Sequence, residues 1–104
     1  KKRAGLARAM ALDPEILFFD EPSAGLDPIS SVALDNLILN LNSALGTTMI
    51  VVTHELDSIN KIARRALMLD REAQGIIAFG TLDEVKNSTS NPRIHNFFNR
   101  IAEE

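Results

Sequence analysis

Four consecutive apolar residues, Ile16-Leu17-Phe18-Phe19, run straight into two adjacent acids, Asp20 and Glu21. A short continuous apolar run reads as a strand buried on both faces, which is how strands of parallel sheets read. Two further short apolar runs follow, Met49-Ile50-Val51-Val52 and Ala66-Leu67-Met68-Leu69, with helical stretches between them. Strands that alternate with helices predict an α/β layered domain with a largely parallel sheet.

The helices carry their own punctuation. Residues 1–12 read as a helix already under way, stopped by Asp13-Pro14. Asp27-Pro28 supplies an N-cap followed by Pro at the first helical position. The long helix after it runs to about Leu45, with Ile29, Val32, Ala33, Leu37, Ile38, Leu41 and Leu45 available for a buried face, and Gly46 closes it. A shorter helix spans about Leu56 to Arg64. Gly75 to Phe79 reads as the hairpin partner of the third strand. Thr81-Leu82-Asp83-Glu84 has the spacing of a capping box. Asn91-Pro92 opens a last amphipathic helix with Ile94, Phe97, Phe98 and Ile101 on one stripe. The expected organisation is a domain over residues 1–90 followed by this C-terminal helix over 91–104.

Charge is segregated along the chain. Lys1, Lys2, Arg3 and Arg8 open it; no Lys or Arg then occurs before Lys61, while Asp13, Glu15, Asp20, Glu21, Asp27, Asp35, Glu55 and Asp57 fall in that interval. So acidic a stretch is a poor nucleic-acid face and a plausible place for a divalent cation. A solvated acidic surface accounts for about half of these residues but not for Asp20 and Glu21. Hydrophobic residues make up 45% and charged residues 24%, which argues against a disordered tail. No apolar run approaches the ~18 residues of a membrane-spanning helix. Cysteine is absent, which excludes a disulfide framework and a thiolate zinc site and fits a reducing compartment.

In open parallel sheets ligands bind outside the carboxyl ends of the strands. An acid there, Asp20, is placed to hold Mg²⁺ while the metal bridges nucleotide phosphates. The next acid, Glu21, is placed to orient an attacking water or accept its proton. An ordinary strand end meeting solvent would show the same two acids.

The surrounding residues narrow the choice. Asp20-Glu21-Pro22-Ser23-Ala24-Gly25-Leu26-Asp27-Pro28 resembles the Walker B segment and D-loop of ATP-binding cassette ATPases. Val51-Val52-Thr53-His54-Glu55 resembles the segment carrying that family's switch histidine. Lys1 to Ala9 looks like the helix after the family's signature motif. The resemblance covers essentially the whole chain. Leu41-Asn42-Ser43-Ala44-Leu45-Gly46 and Asn91-Pro92-Arg93-Ile94-His95-Asn96-Phe97-Phe98 further resemble ATPases of MCE-associated lipid transporters of the Mla type.

The resemblance implies part of a P-loop NTPase (RecA-like) layered fold using ATP and Mg²⁺. It implies that Asp20 holds the metal, that Glu21 is the catalytic base and that His54 contacts the γ-phosphate. Asp27, with Ser23 and Gly25 of the same loop, would serve the nucleotide site shared with a second ATPase subunit in a homodimer. Further implied partners are an integral membrane permease and an MCE-type lipid-binding protein, with no nucleic acid, at the inner face of the cell membrane. A Gly-x-x-x-x-Gly-Lys-[Ser/Thr] loop is not in the chain; Gly75 and Gly80 have the spacing but are followed by Thr81-Leu82 with no Lys. The resemblance therefore implies that the Walker A half, the Q-loop and the signature lie upstream of Lys1, and that the chain by itself is inactive. Two other readings stand beside this one: a soluble cassette ATPase of DNA repair or chromosome maintenance, which carries the same Walker B and D-loop chemistry, and a non-catalytic assembly fragment.

Overall fold

The computed structural model describes residues 2–101. The chain divides into two compact units, Lys1–Ile62 and Ala63–Glu104.

In the first unit, α1 spans Lys2–Met10, β1 Ile16–Asp20, α2 Pro28–Leu45, β2 Thr48–Val52 and α3 Leu56–Ile62. Strands β1 and β2 pair in parallel, Ile16 opposite Thr48 through Asp20 opposite Val52. Helix α2 has the expected ends. Asp27 caps it by accepting from the Ser30 N–H, with Pro28 next. Gly46 ends it in the left-handed region at φ 67°, where a residue without Cβ is favoured, and donates its N–H to the Asn42 carbonyl. The Asn42 amide also donates to the Thr47 carbonyl at 2.7 Å, tying the end of α2 to the start of β2.

The buried stripe of α2 differs from the expected one. Leu34, Asp35 and Ile38 are buried, whereas Ile29 is 83% exposed and Val32 and Leu45 are also exposed. Nor is β1 buried on both faces here. Leu17 is buried, but Ile16 and Phe18 are exposed, as are Ile50 and Val52 on β2. Side chains alternate along a strand and Phe18 stands opposite Ile50, so these residues line one bare apolar face.

In the second unit, β3 spans Arg65–Asp70, β4 Gly75–Thr81, α4 Leu82–Lys86 and α5 Pro92–Phe98. Strands β3 and β4 form the expected antiparallel hairpin, with a register shift between Met68 and Leu69 that leaves Ile77 without an opposite residue. The described residues thus contain one parallel and one antiparallel pair: the class is α/β as expected, and the parallel part is small. Thr81 and Glu84 make the capping box in full. Among the described residues, Val85 and Ile94 are the most deeply buried side chains. Arg93 bridges Asp70 at 2.9 Å and Glu72 at 2.6 Å, holding α5 to the hairpin.

Helix α5 ends sooner than its apolar stripe suggests. Asn99 donates both its N–H and its side-chain amide to the His95 carbonyl, and Arg100 takes φ 54°. These bonds close the helix at Phe98, so Ile101 leaves the stripe and is 48% exposed. No helix among the described residues is long and apolar enough to cross a membrane.

Candidate functional site

Parallel pairing puts the carboxyl ends of β1 and β2 side by side. Asp20 stands opposite Val52, and the Glu21 N–H extends the ladder by donating to the Val52 carbonyl at 2.7 Å. Glu21, the residue after β1, therefore meets Thr53 and His54, the two residues after β2, across a sequence gap of about thirty residues.

Glu21 then leaves the strand sharply. Its φ of 47° lies in the left-handed region, which costs a non-glycine residue on the order of 1 kcal/mol. A strained conformation of this kind persists where surrounding bonds hold it. Here the Thr53 hydroxyl donates to Glu21 Oε2 at 3.2 Å, and His54 Nδ1 lies 2.7 Å from Glu21 Oε1. The Glu55 N–H donates in turn to the Thr53 hydroxyl at 3.0 Å, which orients it. Thr53 is a site residue that the sequence reading missed. Its signal was a hydroxyl-bearing, β-branched residue directly before His54 at the strand end.

The electrostatics follow from this contact. The hydrogen bond from His54, before any other cause, holds the Glu21 carboxyl below its ordinary value of 4.5. The same bond and the charge of Glu21 raise the His54 imidazole above 6.5. Both groups are solvent-accessible, the His54 side chain being 77% exposed, so water screens the pair. The raised imidazole contributes stability below pH 6.5 that is lost as pH rises through its folded value. The lowered carboxyl contributes above pH 4.5 and loses it as pH falls through its own folded value. The ion pair is complete between those two folded values. A histidine-resolved NMR titration is therefore expected to place the His54 midpoint above 6.5, and Glu21→Gln should return it toward 6.5. An unshifted midpoint in the unmodified protein would remove the contact.

Asp20 is exposed at the end of β1. No group of three or more His, Asp or Glu side chains among the described residues could hold a metal ion unaided. One carboxylate with waters and nucleotide phosphates is the donor set Mg²⁺ commonly takes, so Asp20 fits that ion in company with a phosphate ligand.

The loop between β1 and α2 is tightly wound. Ala24 N–H bonds the Glu21 carbonyl and Leu26 N–H bonds the Ser23 carbonyl. Ser23 is buried, and Gly25 has φ 80°. Nothing lies within 4 Å of where a Gly25 Cβ would stand, so conformation rather than space favours glycine there. Asp27 is taken up by its cap, bonding Ser30 N–H and Oγ at 2.8 and 2.9 Å, which lowers its carboxyl. The structure thus brings Glu21 and His54 into direct contact, with Asp20 beside them in sequence. Ser23, Gly25 and Asp27 follow in the connecting loop, where Asp27 bonds its own helix and not Glu21 or His54. His95, assigned to no motif, is exposed on α5.

The carboxyl ends of this parallel strand pair carry acids and a histidine, at the place where open α/β sheets bind ligands. The chain is 41% identical over 102 residues to the intermembrane phospholipid transport system ATP-binding protein MlaF of Escherichia coli strain K12, which covers 98% of this chain and 37% of that protein. MlaF of Haemophilus influenzae is 45% identical over 87 residues, 84% of this chain and 32% of that one. The probable ribonucleotide transport ATP-binding protein mkl of Mycobacterium tuberculosis (strain ATCC 25618 / H37Rv) is 37% identical over 99 residues, 95% of this chain and 27% of that one. No family model matches the chain. The chain belongs to the family of ABC transport ATP-binding proteins that includes MlaF and mkl, and it spans about 37% or less of the length of these relatives.

Proposed function

We propose that these residues are the C-terminal part of the ATP-hydrolysing subunit of a phospholipid transporter. The contact between Glu21 and His54 at the carboxyl ends of a parallel strand pair carries this reading. It is what a water-orienting acid and a phosphate-sensing histidine need in a chain related to ABC ATPases. Identity of 41% to a phospholipid-transport ATPase favours lipid cargo over the ribonucleotides in the name of mkl, at 37%.

In the proposed mechanism Asp20 would hold Mg²⁺, which when bound would neutralise charge on the nucleotide phosphates. Glu21 orients the attacking water. Its carboxyl, held below its ordinary value by the His54 hydrogen bond, suits hydrogen-bond acceptance better than full proton abstraction. His54, whose imidazole is raised above 6.5 by its contact with Glu21, can turn its exposed ring to the γ-phosphate. Ser23, Gly25 and Asp27 would line the site shared with a second ATPase subunit. The missing cradle for the β- and γ-phosphates would come from a Walker A half preceding this segment in a RecA-like fold. The whole assembly would sit on the inner face of the cell membrane, with a permease and an MCE-type lipid-binding protein.

The test is reconstitution of the longer protein with the proposed permease, in liposomes carrying a fluorescent phospholipid. We expect Mg²⁺- and ATP-dependent phospholipid transfer. Uptake of a labelled ribonucleotide without phospholipid transfer would overturn the lipid assignment and favour the second cargo.

A further inference from the structure

Asp35 and Ser58 form a second polar contact, away from Glu21 and His54, that the proposed mechanism does not use. The Ser58 hydroxyl reaches both carboxylate oxygens of Asp35, at 3.0 and 2.9 Å, and the two residues are only 5% and 6% exposed. Burying a carboxylate is costly unless it is hydrogen-bonded, and here the Ser58 hydroxyl serves it. The placement of the pair is informative. Asp35 lies two turns into α2, eight residues after Asp27; Ser58 lies in the first turn of α3, four residues after His54. That turn is anchored by the Ile59 N–H on the Glu55 carbonyl. The His54 ring is largely exposed, so its placement comes from the backbone that carries it, at the junction of β2 and α3.

We propose that Asp35 and Ser58 are positioning residues: a buried latch that sets the first turn of α3 on α2 and so holds His54 against Glu21. This rests on the functional reading above. The bond is directional, so it specifies one rotation and register of α3 where apolar packing alone would accept several. It also links the helix that starts at the Asp27 loop to the helix that starts at the switch histidine.

The experiment uses the longer protein that contains this segment. Ser58→Ala is expected to lower kcat roughly 10-fold or more, as small misplacements of catalytic groups do, with KM for ATP within about two-fold of the unmodified protein. Asp35→Asn alone keeps an acceptor for Ser58 and should leave kcat within about two-fold of the unmodified protein. The ring ¹⁵N resonances of His54, read without nucleotide at fixed pH, should move in Ser58→Ala toward those of Glu21→Gln. Unchanged His54 resonances in folded Ser58→Ala overturn the latch, whatever kcat does. Should Ser58→Ala fail to fold, Asp35→Leu with Ser58→Ala removes the bond without stranding a buried charge. Displaced His54 resonances in that double variant support the latch, and undisplaced ones overturn it. Absence of ATPase activity in the unmodified protein would defeat the functional reading instead, and the His54 resonances would still decide the latch.

Discussion

Glu21→Gln in the longer protein is expected to leave ATP binding within about two-fold of normal while turnover falls by roughly 10²–10⁴-fold. The substitution keeps shape and one oxygen, so the Thr53 hydroxyl still finds an acceptor. It removes the charge proposed to order a water, and with it the charged contact that raises the His54 imidazole. A ground-state binding site that does not depend on that charge is unaffected, so the loss falls on kcat. Nucleotide binding by equilibrium titration, set beside phosphate release, separates the two effects. Normal turnover in this variant would remove Glu21 from the hydrolytic role.

The second large effect concerns the 104-residue chain by itself. Purified alone, it is expected to show no Mg²⁺-dependent ATP turnover above the Glu21→Gln background. Asp20 and Glu21 can supply a metal ligand and a water-orienting group, but phosphoryl transfer is accelerated mainly by positioning and by charge around the phosphates. No Gly-rich loop with a Lys occurs in the chain to provide either. The same preparation is expected to self-associate. Ile16, Phe18, Ile50 and Val52 line a bare sheet face, and two-stranded sheets expose strand edges that recruit other chains. Light scattering at low micromolar concentration and a phosphate-release assay read both outcomes. Turnover that is lost on Glu21→Gln would show that the chain is catalytically sufficient, and a dispersed monomer would show that the face is tolerated in water.

Local chemistry in the sequence determined the element ends and the site's ingredients. Asp27-Pro28, Gly46 and Thr81-Leu82-Asp83-Glu84 behave as caps wherever they occur, because a cap is a contact between residues three or four apart. Asp20 and Glu21 were candidates for a related reason: they end an apolar run, and strand ends are where parallel sheets bind ligands, whereas His54 was a candidate only through the family resemblance. Only the tertiary structure decided which of these residues meet. The contact of Glu21 with Thr53 and His54 depends on the parallel register of β1 and β2 and on the positive φ of Glu21, and neither is written in local spacing. The fate of the acids was likewise a tertiary matter. Asp35 belongs by sequence to an acidic, solvated stretch, yet it is buried against Ser58 because the face of α2 that turns inward is set by what packs there. Ile101 went the other way, out of a stripe that periodicity extended to it. Backbone bonds at Asn99 and Arg100 closed the helix first, and a side-chain period carries no information about where the hydrogen-bond ladder stops.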